Sequence, residues 1–286
     1  MPTAFTHQLI AEDAITPSRA ETLRLADYYF GAQGPDPFFF YRFFTMRKNN
    51  LGRLLHKDDV YGTFECMLEY SRTHPAALGY ALGYITHYAA DAVFHPYVYY
   101  YAFSRCGTRS GRSALHTQME SDFDSYFLSK EGTEVGEYRL PYSPSDLDLA
   151  DITGMFMAVF AEKGIAVVAK DVYRAVRGWF RYLRFTLDPH YRKGKFWRGV
   201  GKWSKNCRRL GAMFRRKDIN EDYLNLPRAE WHYRDDPEVV SDAGADALFE
   251  KAVSDSRALI DEFMDCYYSR EPLPRALFGK HLLSGI

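Results

Sequence analysis

Between residues 76 and 102 the chain carries a long run of small, apolar and aromatic side chains, and His87, Asp91 and His95 recur within it at steps of four. His74-Pro75 closes the helical pattern of residues 58–73, so the run starts a helix of its own, from about 76 to about 102. In such a helix the positions i, i+4 and i+8 share one side and rise about 6 Å per step. His87, Asp91 and His95 therefore form one polar stripe, with Asp91 in the middle, on an otherwise apolar rod. A chain built around that rod must either satisfy the stripe internally or use it.

A second pair, His116 and Glu120, repeats the spacing in a following helix read from Ser113, its cap, through Phe127. Imidazole nitrogens and carboxylate oxygens suit zinc, and helical i, i+4 pairs present two donors to one ion. A single histidine on an apolar helix is more often a satisfied core residue. Five donor side chains at helical spacing, two of them carboxylates that burial would leave costly without partners, favour metal binding.

Elsewhere the pattern is also helical. Thr16-Pro17 opens a helix that Gly31 and Gly34 end, and GAQGPDPFFF (31–40) reads as a loop into an aromatic cluster. Residues 130–144 are a connector, and Ser143-Pro144 starts a helical region continuing in pieces to about Thr186. No alternating stretch is paired with a hairpin signal. The expected fold is all-α, a single-domain multi-helix bundle over residues 1–286, with the metal-site half at 1–130.

HYAADAVFHP followed by HTQME resembles the zinc-dependent phospholipase C family, whose fold is shared by zinc-dependent single-strand nucleases. The likeness extends to His7 in THQLIAEDA, to the Gly…Pro-Asp segment of GAQGPDPFFF, to His56 in LGRLLHKDD and to WHYRDDPEVVSDAGADALFEKA near the end. The resemblance implies a helical bundle holding two or three Zn2+ ions at the bottom of a cleft. Carried over position by position, it implies that His56, His87 and Asp91 hold one zinc and that His95, His116 and Glu120 hold a second. His7 joins a bridging Asp91 on a third, and Asp36 orients or deprotonates the attacking water. Family members place the second zinc's first histidine ten residues after the equivalent of His87, whereas His95 lies eight after it. Eight keeps His95 on the stripe.

Apart from the resemblance, Asp36 between two prolines reads as a turn former, and His7 and His56 as surface or core residues. His74 ends a helix rather than binding metal, and His190, His232 and His281 have no donor pattern nearby. Serine nucleophile elbows, phosphate-cradling Gly-Lys loops and dinucleotide fingerprints are missing from the sequence. Lys+Arg and Asp+Glu are both 37, so global charge selects no partner. Locally, residues 174–217 carry fifteen Lys and Arg against one acid, Asp188, with Trp, Tyr and Phe interleaved. That segment reads as a solvated face, as a patch for an anionic membrane surface, or, less favoured, as a nucleic-acid groove.

Four scattered cysteines, no apolar run of membrane-spanning length and no basic-then-apolar N-terminus make a cytoplasmic protein the expectation. The function expected is zinc-dependent hydrolysis of a phosphodiester, with a phospholipid as first substrate. Two alternatives are a nuclease or nucleotide phosphoesterase on the same site, and a non-catalytic zinc-stabilised helical binding protein.

Overall fold

The computed structural model describes residues 4–41, 50–57 and 59–279. It is all-α, as expected: α1 (Ala4–Ala14), α2 (Pro17–Ala20), α3 (Leu25–Gly31), α4 (Leu51–Lys57), α5 (Val60–Thr73), α6 (Leu78–Arg105), α7 (Arg109–Lys130), α8 (Leu149–Glu162), α9 (Ala169–Thr186), α10 (Arg192–Val200), α11 (Lys205–Ala212), α12 (Ala245–Ser269) and α13 (Arg275–Phe278). Among the described residues the only strands are β1 (Trp231–His232) and β2 (Val240–Ser241), a two-residue antiparallel pair that no turn signal announces.

Helix α6 occupies the centre because it is apolar on nearly every side. Of its 28 residues 21 are buried, and α1, α3, α5, α7 and α12 pack around it. Pro96 withholds one backbone donor within this helix, which nonetheless continues to Arg105. The α3 backbone lies directly on α6. A Cβ on Gly83 would fall 1.9 Å from the Tyr28 carbonyl oxygen, and one on Gly31 2.3 Å from that of Tyr80. Only glycine admits that approach.

The same approach corrects the reading of residues 16–31 as one helix. α2 stops at Ala20, and Arg24 takes an extended backbone before α3 begins, which turns α3 onto α6. Tertiary contact overrides local propensity there. GAQGPDPFFF is likewise less loop-like than its composition suggests. It closes in a 3-10 turn, Asp36–Phe40, with Phe38 against Phe156 and Phe160, and Phe40 stacked on Tyr182.

Helix α7 starts at Arg109 rather than Ser113 and ends at Lys130 rather than Phe127, because Thr108 is the cap, its hydroxyl accepting from Gly111 N at 3.1 Å. Ser143-Pro144 starts no helix; Asp146 accepts from Ser143 N in a turn, and Asp148 caps α8 instead. No helix among the described residues is long and apolar enough to cross a membrane. His281 lies outside the described residues.

Candidate metal centre

Helices α1, α4 and α6 converge on Asp91. Helix α6 contributes His87, Asp91 and His95, buried together as the stripe requires. Helix α1 brings His7, whose Nε2 is 3.5 Å from Asp91 Oδ1. Helix α4 brings His56, with Nε2 3.6 Å from Asp91 Oδ2 and 3.3 Å from Asp36 Oδ1. His87 Nε2 and His95 Nδ1 are 3.4 and 3.6 Å from Asp91 Oδ2. One carboxylate thus faces four imidazoles. On α7, Glu120 Oε1 is 2.9 Å from His116 Nε2 and 3.6 Å from His95 Nε2, so His95 joins the two halves of the centre.

The backbone holds these side chains in place. Gly34, at φ +51°, presses against the His87 ring; a Cβ there would come within 2.4 Å of it. Tyr80 donates to the Gly34 carbonyl at 2.9 Å, and Gln33 donates to the Ala4 carbonyl at 3.1 Å, tying this turn to α6 and α1. His56 Nδ1 sits 2.7 Å from the Gly52 carbonyl, and His87 Nδ1 3.3 Å from that of Ala32. Carbonyl contacts of this kind leave the other nitrogen, Nε2, for the centre. The position of His7 depends on Asp124. That buried carboxylate accepts from Phe5 N, Thr6 N and Thr6 Oγ1 at 3.2, 2.8 and 2.9 Å, capping α1, and also from Arg215 Nε at 2.8 Å.

Electrostatics favour the donor forms of the three carboxylates, of His7 and of His116. Burial pushes the Asp91 carboxyl up, but His95 and His87 outweigh it and hold it well below the usual carboxylate range. Glu120 is held low against burial by His116 and His95, and Asp36 is lowered by its histidine neighbours despite burial. Burial, reinforced by His87, pushes His7 down to about 3, so its imidazole is neutral. Burial also lowers His116, whereas Asp91 raises His87 and His95 against it.

Three compact donor groups result: His7, His87 and Asp91; Asp36, His56 and His87; and His95, His116 and Glu120. The last matches the expected second site. In the others His87 is shared, and Asp36 stands among the donors rather than apart from them. His7 Nδ1, His87 Nε2 and Asp36 Oδ1 are buried without a hydrogen bond. Most of the imidazole–carboxylate separations, at 3.3–3.6 Å, are longer than hydrogen bonds. Donor atoms gathered this closely could share a cation, and nitrogen with carboxylate oxygen is a zinc set. A space of about 20 Å³, lined by His7, Asp91, His95 and Glu120 among others, lies between them.

A family model for zinc-dependent phospholipase C matches residues 1–174. The chain belongs to the zinc-dependent phospholipase C family. No curated protein and no solved structure matches it. Membership supports zinc as the metal and a hydrolytic function of the phospholipase C type. All eight residues singled out in this member of the family, His7, Asp36, His56, His87, Asp91, His95, His116 and Glu120, fall inside the match. The tryptophan-containing segment from Trp231 lies beyond it.

His74 stays outside the centre, exposed at the end of α5 and stacked on Tyr70. The sequence reading missed Tyr99. Its ring lies 5.6 Å from that of His95 and 5.1 Å from that of His116, with the Arg234 guanidinium 5.4 Å from its centroid. The signal was available: 87, 91, 95, 99 and 103 continue one four-residue step, from the buried centre to the exposed Phe103.

Proposed function

We propose that the protein hydrolyses the phosphodiester bond of a phospholipid at this centre, giving diacylglycerol and a phosphorylated headgroup. The observation that carries the reading is the convergence of five histidines and three carboxylates, from α1, the 31–40 segment, α4, α6 and α7, into three adjoining donor groups. His95, His116 and Glu120 would hold one zinc; His56, His87 and Asp91 another, with Asp36 close by; and His7 a third with Asp91. When bound, zinc supplies Lewis acidity and neutralises charge at the phosphoryl group.

The chain's own residues do the rest. Asp36, ionised and buried, accepts the proton of the water whose oxygen attacks phosphorus. The bond from phosphorus to the glycerol oxygen breaks. The proton that Asp36 took from water passes to that oxygen, which leaves as a hydroxyl, and Asp36 returns to its carboxylate form. The Gly52 and Ala32 carbonyls keep the His56 and His87 rings from turning during the step. Residues 174–217, with Trp203 86% and Phe196 62% exposed among lysines and arginines, suit contact with an anionic lipid surface.

The test is product analysis with zinc-loaded protein on phosphatidylcholine vesicles. Diacylglycerol and phosphocholine are expected, with kcat reduced on the order of a hundredfold or more in Asp36→Asn at unchanged zinc content. Free fatty acid as product, or turnover of single-stranded DNA without turnover of lipid, overturns the phospholipid reading. Full zinc occupancy with no phosphodiester turnover points instead to a zinc-stabilised binding protein.

A further inference from the structure

The cations of residues 192–217 divide into two kinds. Arg215 and Arg216 are neutralised: Arg215 pairs with Asp124, and Arg216 with the buried carboxylate of Asp122. Arg198, Lys202 and Arg208 are different. They line a cavity of about 500 Å³ between α7 and the α10–α11 pair, on which Gly111, Leu115, Gln118 and Tyr223 also border, and no carboxylate lines it. Arg198 donates only to the Gly211 and Phe214 carbonyls, and Arg208 Nε only to the Gly201 carbonyl. No ion pair forms at any of the three among the described residues.

The fold brings these charges together by a specific device. A Cβ on Gly201 would lie 2.8 Å from Arg208 Cα, so the glycine lets the end of α10 close on α11 and sets Lys202 and Arg208 on one wall. Arg198, half-buried, is held below its usual range by burial and by the neighbouring Arg216. Three like charges gathered around one cavity repel each other, and an anion offsets that repulsion. The volume falls within the range of small-ligand sites. Guanidinium groups present paired donors that match phosphate oxygens, and an ammonium adds a point charge.

We propose that this cavity is a phosphate-binding site, separate from the metal centre, that takes a phosphate mono- or diester group from a lipid headgroup or from solution. Its three cations, Arg198, Lys202 and Arg208, lie beyond the residues that match the family, and the proposal does not depend on the hydrolytic reading.

The experiment compares the parent protein with Lys202→Ala/Arg208→Ala and with a control, Lys193→Ala/Lys195→Ala. Both residues of the first pair are exposed and neither touches the metal centre, so zinc content and melting temperature are expected to stay at the parent's values. Sedimentation with phosphatidylcholine vesicles, with and without phosphatidylglycerol, reads the lipid source, and calorimetric titration with inorganic phosphate reads the free one. At about tenfold or less per charge near a surface, the Lys202/Arg208 pair should weaken binding by roughly thirtyfold, and the control by far less.

Loss on anionic vesicles without measurable phosphate binding assigns the site to a headgroup. Loss in the phosphate titration assigns it to free phosphate. Equal weakening by both pairs overturns the proposal in favour of diffuse surface charge. Binding of a single-stranded oligonucleotide with neither vesicles nor phosphate bound overturns it in favour of a nucleic-acid groove. Because only binding is read, none of these outcomes bears on whether the metal centre hydrolyses lipid.

Discussion

Asp91 is the residue on which the centre turns. Its two oxygens face His7, His56, His87 and His95, which between them belong to all three donor groups, so removing the carboxylate disturbs more than one group at once. Asp91→Ala is expected to release more than one zinc equivalent per chain by elemental analysis, while His74→Ala, on the surface, releases none. A loss of one equivalent or less would contradict the bridging role. Gly34 is the second decisive position. Any side chain there meets the His87 ring and must also hold φ +51°, so Gly34→Ala should cost roughly 2 kcal/mol or more and lower zinc content. Thermal melts of the zinc-free protein separate the backbone cost from the lost ligand. At this scale the sequence was informative because helical spacing alone places 87, 91, 95, 116 and 120. Asp36, His7 and His56 carry no such periodicity, and only the likeness to a family singled them out. Tyr99 was passed over because a tyrosine after a histidine stripe is ordinary core composition.

At the scale of elements, α1 is held in register by a residue of another helix. Asp124→Ala removes a cap from α1 and leaves Arg215 buried without its partner, a loss on the order of 3–5 kcal/mol. Urea titration measures it, and zinc content should fall with it because His7 rides on α1. Asp27 on α3 makes a pH-dependent contribution of the opposite kind. Burial, against the Asp148 N–H and Arg24, pushes its carboxyl up to about 6. Its folded value exceeds the unfolded value of about 3.9, so the stability it contributes is present below pH ~4 and is lost as pH rises through 6. Asp27→Asn, which keeps an acceptor for Asp148 N, should therefore raise stability at pH 7 by about 1 kcal/mol and flatten the melting profile between pH 4 and 6. Long helices such as α5 and α6 were legible from their apolar runs and stops. The break at residues 21–24 was not, since it answers to Gly83 across the molecule. Nor was the start of α7, where Thr108 competes with Ser113 as a cap of equal quality.

For the whole molecule, the centre buries His7 Nδ1, His87 Nε2 and Asp36 Oδ1 without a hydrogen bond, and a bound metal would complete them. Zinc at a hundredfold excess over its Kd contributes about 2.7 kcal/mol per site. Chelation should therefore lower the melting temperature by several degrees, with recovery on adding zinc, and calorimetry reads both. An unchanged melt would mean that the buried carboxylates are satisfied without a cation. The all-α class was legible from composition and pattern together. The lodging of α12 against α6 and α1, and of Arg215 under α1, was not, because both join residues far apart in the chain.

That long-range lodging has a consequence for synthesis. Every proposed zinc donor lies before residue 121, so all of them are polymerised while more than half of the 286 residues are still unmade. Yet the anchor of α1 waits for Arg215, and the packing of α6 waits for residues 245–269. The metal donors are made before the residues that hold their helices in place.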